Sequence, residues 1–112
     1  MKDTVILVTR YGMGSADEKL QAALIVKYFE LLLLGGNLPT AICFYTDGVK
    51  LVCEGSPVLE PLQKLEVSNV RLIVCSTCLN FFGLQDQVRT GIVGGMGDIL
   101  EAQVQAHKVI TI

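Results

Sequence analysis

The chain has 112 residues, 51% of them hydrophobic, with Lys+Arg 9 against Asp+Glu 11 and a formal net charge of -2. That length makes one domain with a real core. The scattered, balanced charge excludes a protein built on a basic face for nucleic acid or an acidic membrane. Mean hydropathy is +0.52, high for a small globule in which charged residues are only 18%. Part of the apolar surface is therefore expected to be covered by further copies of the chain.

Met1-Lys2-Asp3 leads into Thr4 to Val8 and then Thr9-Arg10, with no apolar run of leader length. The apolar stretch Leu24 to Leu34 carries Lys27 and Glu30 and stops at Gly35-Gly36. It falls short of the about 20 apolar residues that a bilayer span needs. A cytoplasmic location is expected. There, four cysteines serve as free, redox-active or metal-binding thiols rather than as structural disulfides.

Thr4 to Thr9 is a continuous β-branched run, the pattern of a strand buried on both faces of a parallel sheet. A glycine-containing loop, Arg10 to Gly14, follows. Ser15 and Glu18 form S-x-x-E, so a capping box predicts a helix from about Ser15. Leu20, Ala23, Leu24, Lys27, Leu31 and Leu34 recur at helical spacing before the Gly35-Gly36 stop. Thr40 to Tyr45 reads as the second strand, with Thr46-Asp47-Gly48 as a turn at its end. Val49 to Cys53 fits a short helical piece or an extended one.

Ser56-Pro57 starts a second helix, with Val58, Leu59, Leu62 and Leu65 as its buried stripe and an end near Glu66. Asn69 to Cys75 is the third strand, and it runs into Cys75-Ser76-Thr77-Cys78. Leu79 to Gln87 is a short helical segment interrupted at Gly83. Val88 to Val93 reads as a fourth strand that exits through Gly94-Gly95. Met96 to Ala106 is a helix and Lys108 to Ile112 a last strand. Alternating strands and helices of this kind specify a doubly wound α/β domain.

In such a sheet, ligands bind beyond the carboxyl ends of the strands. Those ends are Thr9 to Gly14, Tyr45 to Gly48, Cys75 to Cys78 and Val93 to Met96. A Cys-x-x-Cys pair at a strand-to-helix turn is a nucleophilic pair in waiting, since a helix start favours the reactive thiolate. In redox turns of this spacing the first cysteine, here Cys75, is usually the exposed one. The competing reading is two small buried residues that pack. Zinc would need two further ligands, and only Cys43, Cys53 and His107 remain. His107 precedes the last strand and belongs on the opposite rim. Cys43 and Cys53 read as packing residues. The Tyr11 to Ser15 loop, with Gly12 and Gly14, could offer N–H groups to a small anion with help from Arg10. It lacks the full G-x-G-x-x-G, because Asp17 stands at the third glycine's place. Asp47 reads as a turn former or a base.

Several of these residues together resemble the DsrE/DsrF-like sulfur-relay family. The closest likeness is to the DsrE-like domain of the sulfurtransferase-like selenium metabolism proteins. The matching stretches are Gly14 with the acidic helix start, Phe44 to Val49 with Leu51, and Gly55 to Leu59 with Leu62 and Leu65. They continue with Cys75 to Phe82 and the Gly94-Gly95-Met96 exit. Where that group usually has Cys-Gly-Thr-Cys-Leu, this chain has Ser76. Where the group commonly carries asparagine, it reads Thr46-Asp47 and Gly95-Met96.

The resemblance implies a three-layer α/β/α fold around a mainly parallel five-stranded sheet, in trimers or hexamers. It implies a persulfide on Cys75, assisted by Cys78, with Arg10, Gly12, Gly14, Asp47 and Met96 as ligand contacts. No metal or organic cofactor is expected. The implied partners are further copies of the chain and a sulfur-donor or sulfur-carrier protein, with neither nucleic acid nor membrane. Two other functions stay open: a dithiol that cycles a Cys75–Cys78 disulfide, and a non-enzymatic module that binds a small anion.

Overall fold

A computed structural model describes residue 1 and residues 3–112. Five strands, β1 (Thr4–Val8), β2 (Ala41–Phe44), β3 (Arg71–Cys75), β4 (Ile92–Gly94) and β5 (Lys108–Thr111), form one sheet in the order β4-β3-β2-β1-β5. Every pairing is parallel. The helices are α1 (Glu18–Gly35), α2 (Leu59–Val67), α3 (Ser76–Phe82) and α4 (Met96–Gln105), and a 3-10 turn covers Thr46–Val52. From β1 to β3 the chain steps in one direction across the sheet, so right-handed crossovers put α1 and α2 side by side on one face. The return from β4 to β5 runs the other way and sends α4 to the opposite face, against β3 and β4. The three-layer α/β/α arrangement follows. Among the described residues, no helix is long and apolar enough to cross a membrane.

The β-branched runs at the centre behave as both-face-buried strands should. Val5, Ile6, Leu7 and Val8 are buried, as are Ile42, Cys43 and Phe44, and Leu72, Ile73 and Val74. Each large apolar side chain so buried contributes about 1.5–3 kcal/mol. The edge strand β4 is different, with Ile92 66% and Val93 50% exposed.

Helix α1 departs from the sequence reading twice. Its cap is Asp17, not Ser15: the Asp17 carboxylate accepts the Lys19 N–H at 2.9 Å. An anionic acceptor at the helix start outcompetes a hydroxyl two residues upstream. The face is also different. Ile25, Phe29 and Leu32 enter the core, whereas Leu20, Leu24, Leu31 and Leu34 of the expected stripe are exposed. The helix is apolar around most of its circumference, so periodicity alone does not choose the inward side.

Other boundaries shift for local reasons. Val49 to Val52 belongs to the 3-10 turn. Helix α2 starts at Leu59, because the Ser56 hydroxyl accepts the Val58 N–H and ties up the preceding turn. Strand β3 starts at Arg71, since Asn69 is left-handed with φ 71°. Helix α3 ends at Phe82 with Gly83 in the left-handed cap. Val88 is not in β4; it makes an antiparallel bridge to Cys53. The next residues are pinned by Glu66, which accepts from the Thr90 hydroxyl at 2.9 Å and the Gly91 N–H at 3.3 Å. Only from Ile92 is the chain free to pair with β3.

Candidate functional site

Register places the strand exits level with one another. Val8 pairs with Phe44, Phe44 with Val74, and Val74 with Val93. The next residues along, Thr9, Tyr45, Cys75 and Gly94, therefore form one row at the carboxyl rim. The topological switch lies between β1 and β5, so the cysteines stand two strands away from it, at the end of β3.

The β2 exit is locked onto the β1 exit. The Tyr45 N–H donates to Val8 O at 3.1 Å. Gly48 lies against the same carbonyl, and a Cβ there would meet Val8 O at 2.1 Å. No other residue type fits so close an approach. Between them, Thr46 adopts φ 50°, a left-handed conformation that costs a β-branched residue of order 1–3 kcal/mol. Its hydroxyl lies 2.6 Å from Thr9 O and 2.7 Å from Tyr45 O. Its N–H is turned toward α3, where it donates to the Cys78 Sγ at 3.1 Å.

Cys75 closes β3 in register with Gly94 and is 1% exposed. It is the buried member of the pair, contrary to the usual order in redox turns, because it still lies within the sheet between β2 and β4. It caps α3 without a side-chain hydrogen bond. Cys78, one turn into α3, is half-buried. The two thiols are neighbours. Burial pushes the Cys78 pKa up; the Thr46 N–H opposes this, and the neighbouring Cys75 sulfur adds to it. The N–H that favours a sulfur anion on Cys78 thus comes from Thr46 on the neighbouring exit.

The other sequence candidates spread along the rim. Asp47 is exposed, and its Oδ1 takes the Lys50 ammonium at 2.7 Å. Lys50 also lies 4.4 Å over the Phe82 ring, which joins the 3-10 turn to α3. Met96 opens α4 at the β4 exit and is 49% exposed. Arg10 is exposed and makes no ion pair among the described residues. The Gly12 loop turns its amides toward α1: the Met13 N–H goes to Gln21 O and the Ala16 N–H to Gln21 Oε1. Gly12 is packed so closely on α1 that a Cβ would meet the Gln21 Cβ at 2.6 Å. Gly14 is exposed with φ 76°. The fold thus gathers Cys75, Cys78 and Asp47 at the β2 and β3 exits. It leaves Arg10, Gly12 and Gly14 at β1 and Met96 at β4.

Thr46 and Lys50 are the rim residues that sequence reasoning missed. Lys50 was within reach, since side chains three apart eclipse on a 3-10 turn. Nothing about a threonine announces a left-handed backbone. Cys53 is 3% exposed, donates to Val49 O, and lines a 430 Å³ cleft with Tyr11, Lys50 and Phe82. Cys43 is fully buried, with its thiol pKa pushed up to about 11 by burial. His107 is on the amino rim, where its N–H donates to Asp3 O. Among the described residues, no three His, Cys, Asp or Glu side chains converge as metal ligands.

A family model described as "DsrE/DsrF-like family" matches residues 2–112. No curated protein sequence matches the chain. Among solved structures, the chain is similar to the ychN protein from E. coli, with 18% identity, TM-score 0.69, and 97% and 98% of the two chains covered. It is also similar to MTH1491 from Methanobacterium thermoautotrophicum, a protein of unknown function, with 19% identity, TM-score 0.70 and 97% of each chain covered. A third is BT1422 from Bacteroides thetaiotaomicron, a conserved protein of unknown function, with 17% identity and TM-score 0.69 over 98% of this chain and 95% of that one. At these identities the likeness is one of fold.

Proposed function

The chain belongs to the DsrE/DsrF-like family, and from that premise we propose that it is a cytoplasmic carrier of sulfane sulfur, or of selenium, on the Cys75–Cys78 pair. The observation that carries the reading is the pairing of a half-buried thiol, held by the Thr46 N–H at 3.1 Å, with a buried thiol behind it. The accessible sulfur of Cys78 meets the donor. Its thiolate attacks the outer sulfur of a donor persulfide, the donor's S–S bond breaks, and the donor departs as a thiolate. Cys78 now bears the persulfide. The Cys75 thiolate then attacks that outer sulfur, and the Cys78 thiolate leaves. The cargo rests on Cys75, where burial keeps stray thiols away.

Thiolate is the attacking form, and the Cys78 pKa is raised. Loading therefore accelerates with pH beyond the range of an ordinary thiol. The donor or acceptor is a sulfur-carrier protein or a small persulfide. The exposed apolar residues of α1 and α4, Leu31, Leu34, Leu100 and Val104 among them, suit a homo-oligomer of trimeric or hexameric order. The neighbouring thiols also fit a second reading, a dithiol that closes to a disulfide.

Intact-mass analysis after brief polysulfide treatment separates the two. A carrier gains mass in sulfur-atom steps that a reductant removes. Cys78→Ser blocks loading, and Cys75→Ser loads but surrenders its sulfur to added thiol. Loss of two hydrogens without added sulfur would give the dithiol reading the field. Equal gain in the Cys75→Ser, Cys78→Ser double variant would remove both.

A further inference from the structure

The end of the sheet opposite the thiols holds a separate cavity of about 270 Å³, between the amino ends of β1, β2 and β3 and the last turns of α4. Its floor is Val5, Ala41 and Ala102, all buried. Its walls carry charge: the Arg71 guanidinium, the Asp3 carboxylate and the Glu101 carboxylate. Opposite charges around one cavity commonly close onto each other. Here they do not, since the ion pairs among the described residues, Lys50–Asp47, Lys64–Glu60 and Arg89–Glu54, use none of the three. Glu101 is held in place by the Gln105 Nε2, which donates to it at 3.0 Å. The last turn of α4 contains no basic residue, so the negative end of that helix adds to the two carboxylates.

We propose that this cavity binds a small zwitterion of the α-amino-acid class. The carboxylate lies on Arg71, whose planar fork takes a carboxylate through two parallel hydrogen bonds. The ammonium, with three donors to place, lies between Asp3, Glu101 and the end of α4. A ligand with one charge satisfies one wall and leaves the other bare. With two alanines in the floor, the cavity admits a small amino acid such as glycine, alanine or serine. The site is independent of the sulfur chemistry: β3 runs from Arg71 to Cys75, which separates the two by about 13 Å at about 3.3 Å per residue.

Calorimetric titration with glycine, L-alanine and L-serine tests the site, with acetate and methylamine as single-charge controls. At least one amino acid binds with Kd of about 1 mM or tighter, and both controls bind about tenfold more weakly or worse. Arg71 and Glu101 are exposed, so Arg71→Gln and Glu101→Gln keep the fold, which circular dichroism verifies, and each weakens binding by about tenfold or more. No amino acid binding above the level of acetate and methylamine overturns the proposal. Undiminished binding in both folded variants overturns it as well.

Discussion

Cys43 and Cys75 lie on adjacent strands; Cys43 pairs with Ile73, two residues before Cys75. Cys43 is enclosed by the sheet and its helices, and its thiol makes no hydrogen bond among the described residues. Its thiol is a small apolar filler, held neutral by burial. Cys75 is as thoroughly buried, yet it neighbours a second thiol that reaches the rim and takes an N–H from Thr46. Burial thus does not distinguish an inert thiol from a candidate carrier. The distinction comes from what the strand does next. β2 continues from Phe44 into a strained turn clamped onto β1, while β3 turns at once into a helix that returns a sulfur to its own end.

The largest expected effect breaks the clamp. Gly48→Ala puts a methyl group against Val8 O and should cost about 3 kcal/mol or more. Urea unfolding checks it, and a loss under about 1 kcal/mol would mean that the turn does not need its close approach.

Alkaline pH sharpens the comparison next. The folded Cys43 pKa is near 11 and an unfolded thiol titrates near 9, so above pH 9 the unfolded chain sheds a proton that the folded chain keeps. Stability is full below about pH 9 and falls by about 3 kcal/mol as pH rises to 11. Burial raises Cys53, Tyr28 and Cys78 in the same direction. Chemical denaturation across pH 8 to 11 should show the decline, and Cys43→Ala should flatten it; an unchanged slope in that variant would contradict the assignment to Cys43.

The smallest effect separates core from rim by substitution. Cys43→Ser places a hydroxyl in an apolar site at about 1–3 kcal/mol, whereas Cys78→Ser, half-buried with the Thr46 N–H as donor, should cost under about 1 kcal/mol. Equal losses in urea would erase the distinction.

Much of the fold was legible because the strands are runs such as Thr4 to Val8 and Leu72 to Val74, which admit one reading. The Cys-x-x-Cys turn was legible too, as a spacing in the chain. Three things were not. The inward face of α1 was hidden by leucines on several sides, which only packing sorts into core and exposed. The fourth strand was displaced by Glu66, a contact made across 24 residues for Thr90. The role of Thr46 depends on a left-handed backbone imposed by the Val8 and Thr9 carbonyls, and a residue's own identity does not announce such a constraint.

The most direct test of the account follows the sulfur in time. The protein is loaded with polysulfide, trapped by alkylation after short and long intervals, and digested for peptide mapping. The account predicts persulfide on Cys78 first and on Cys75 later, with Cys43 bare throughout. Persulfide that appears first on Cys75, or as much on Cys43 as on the pair, would contradict it.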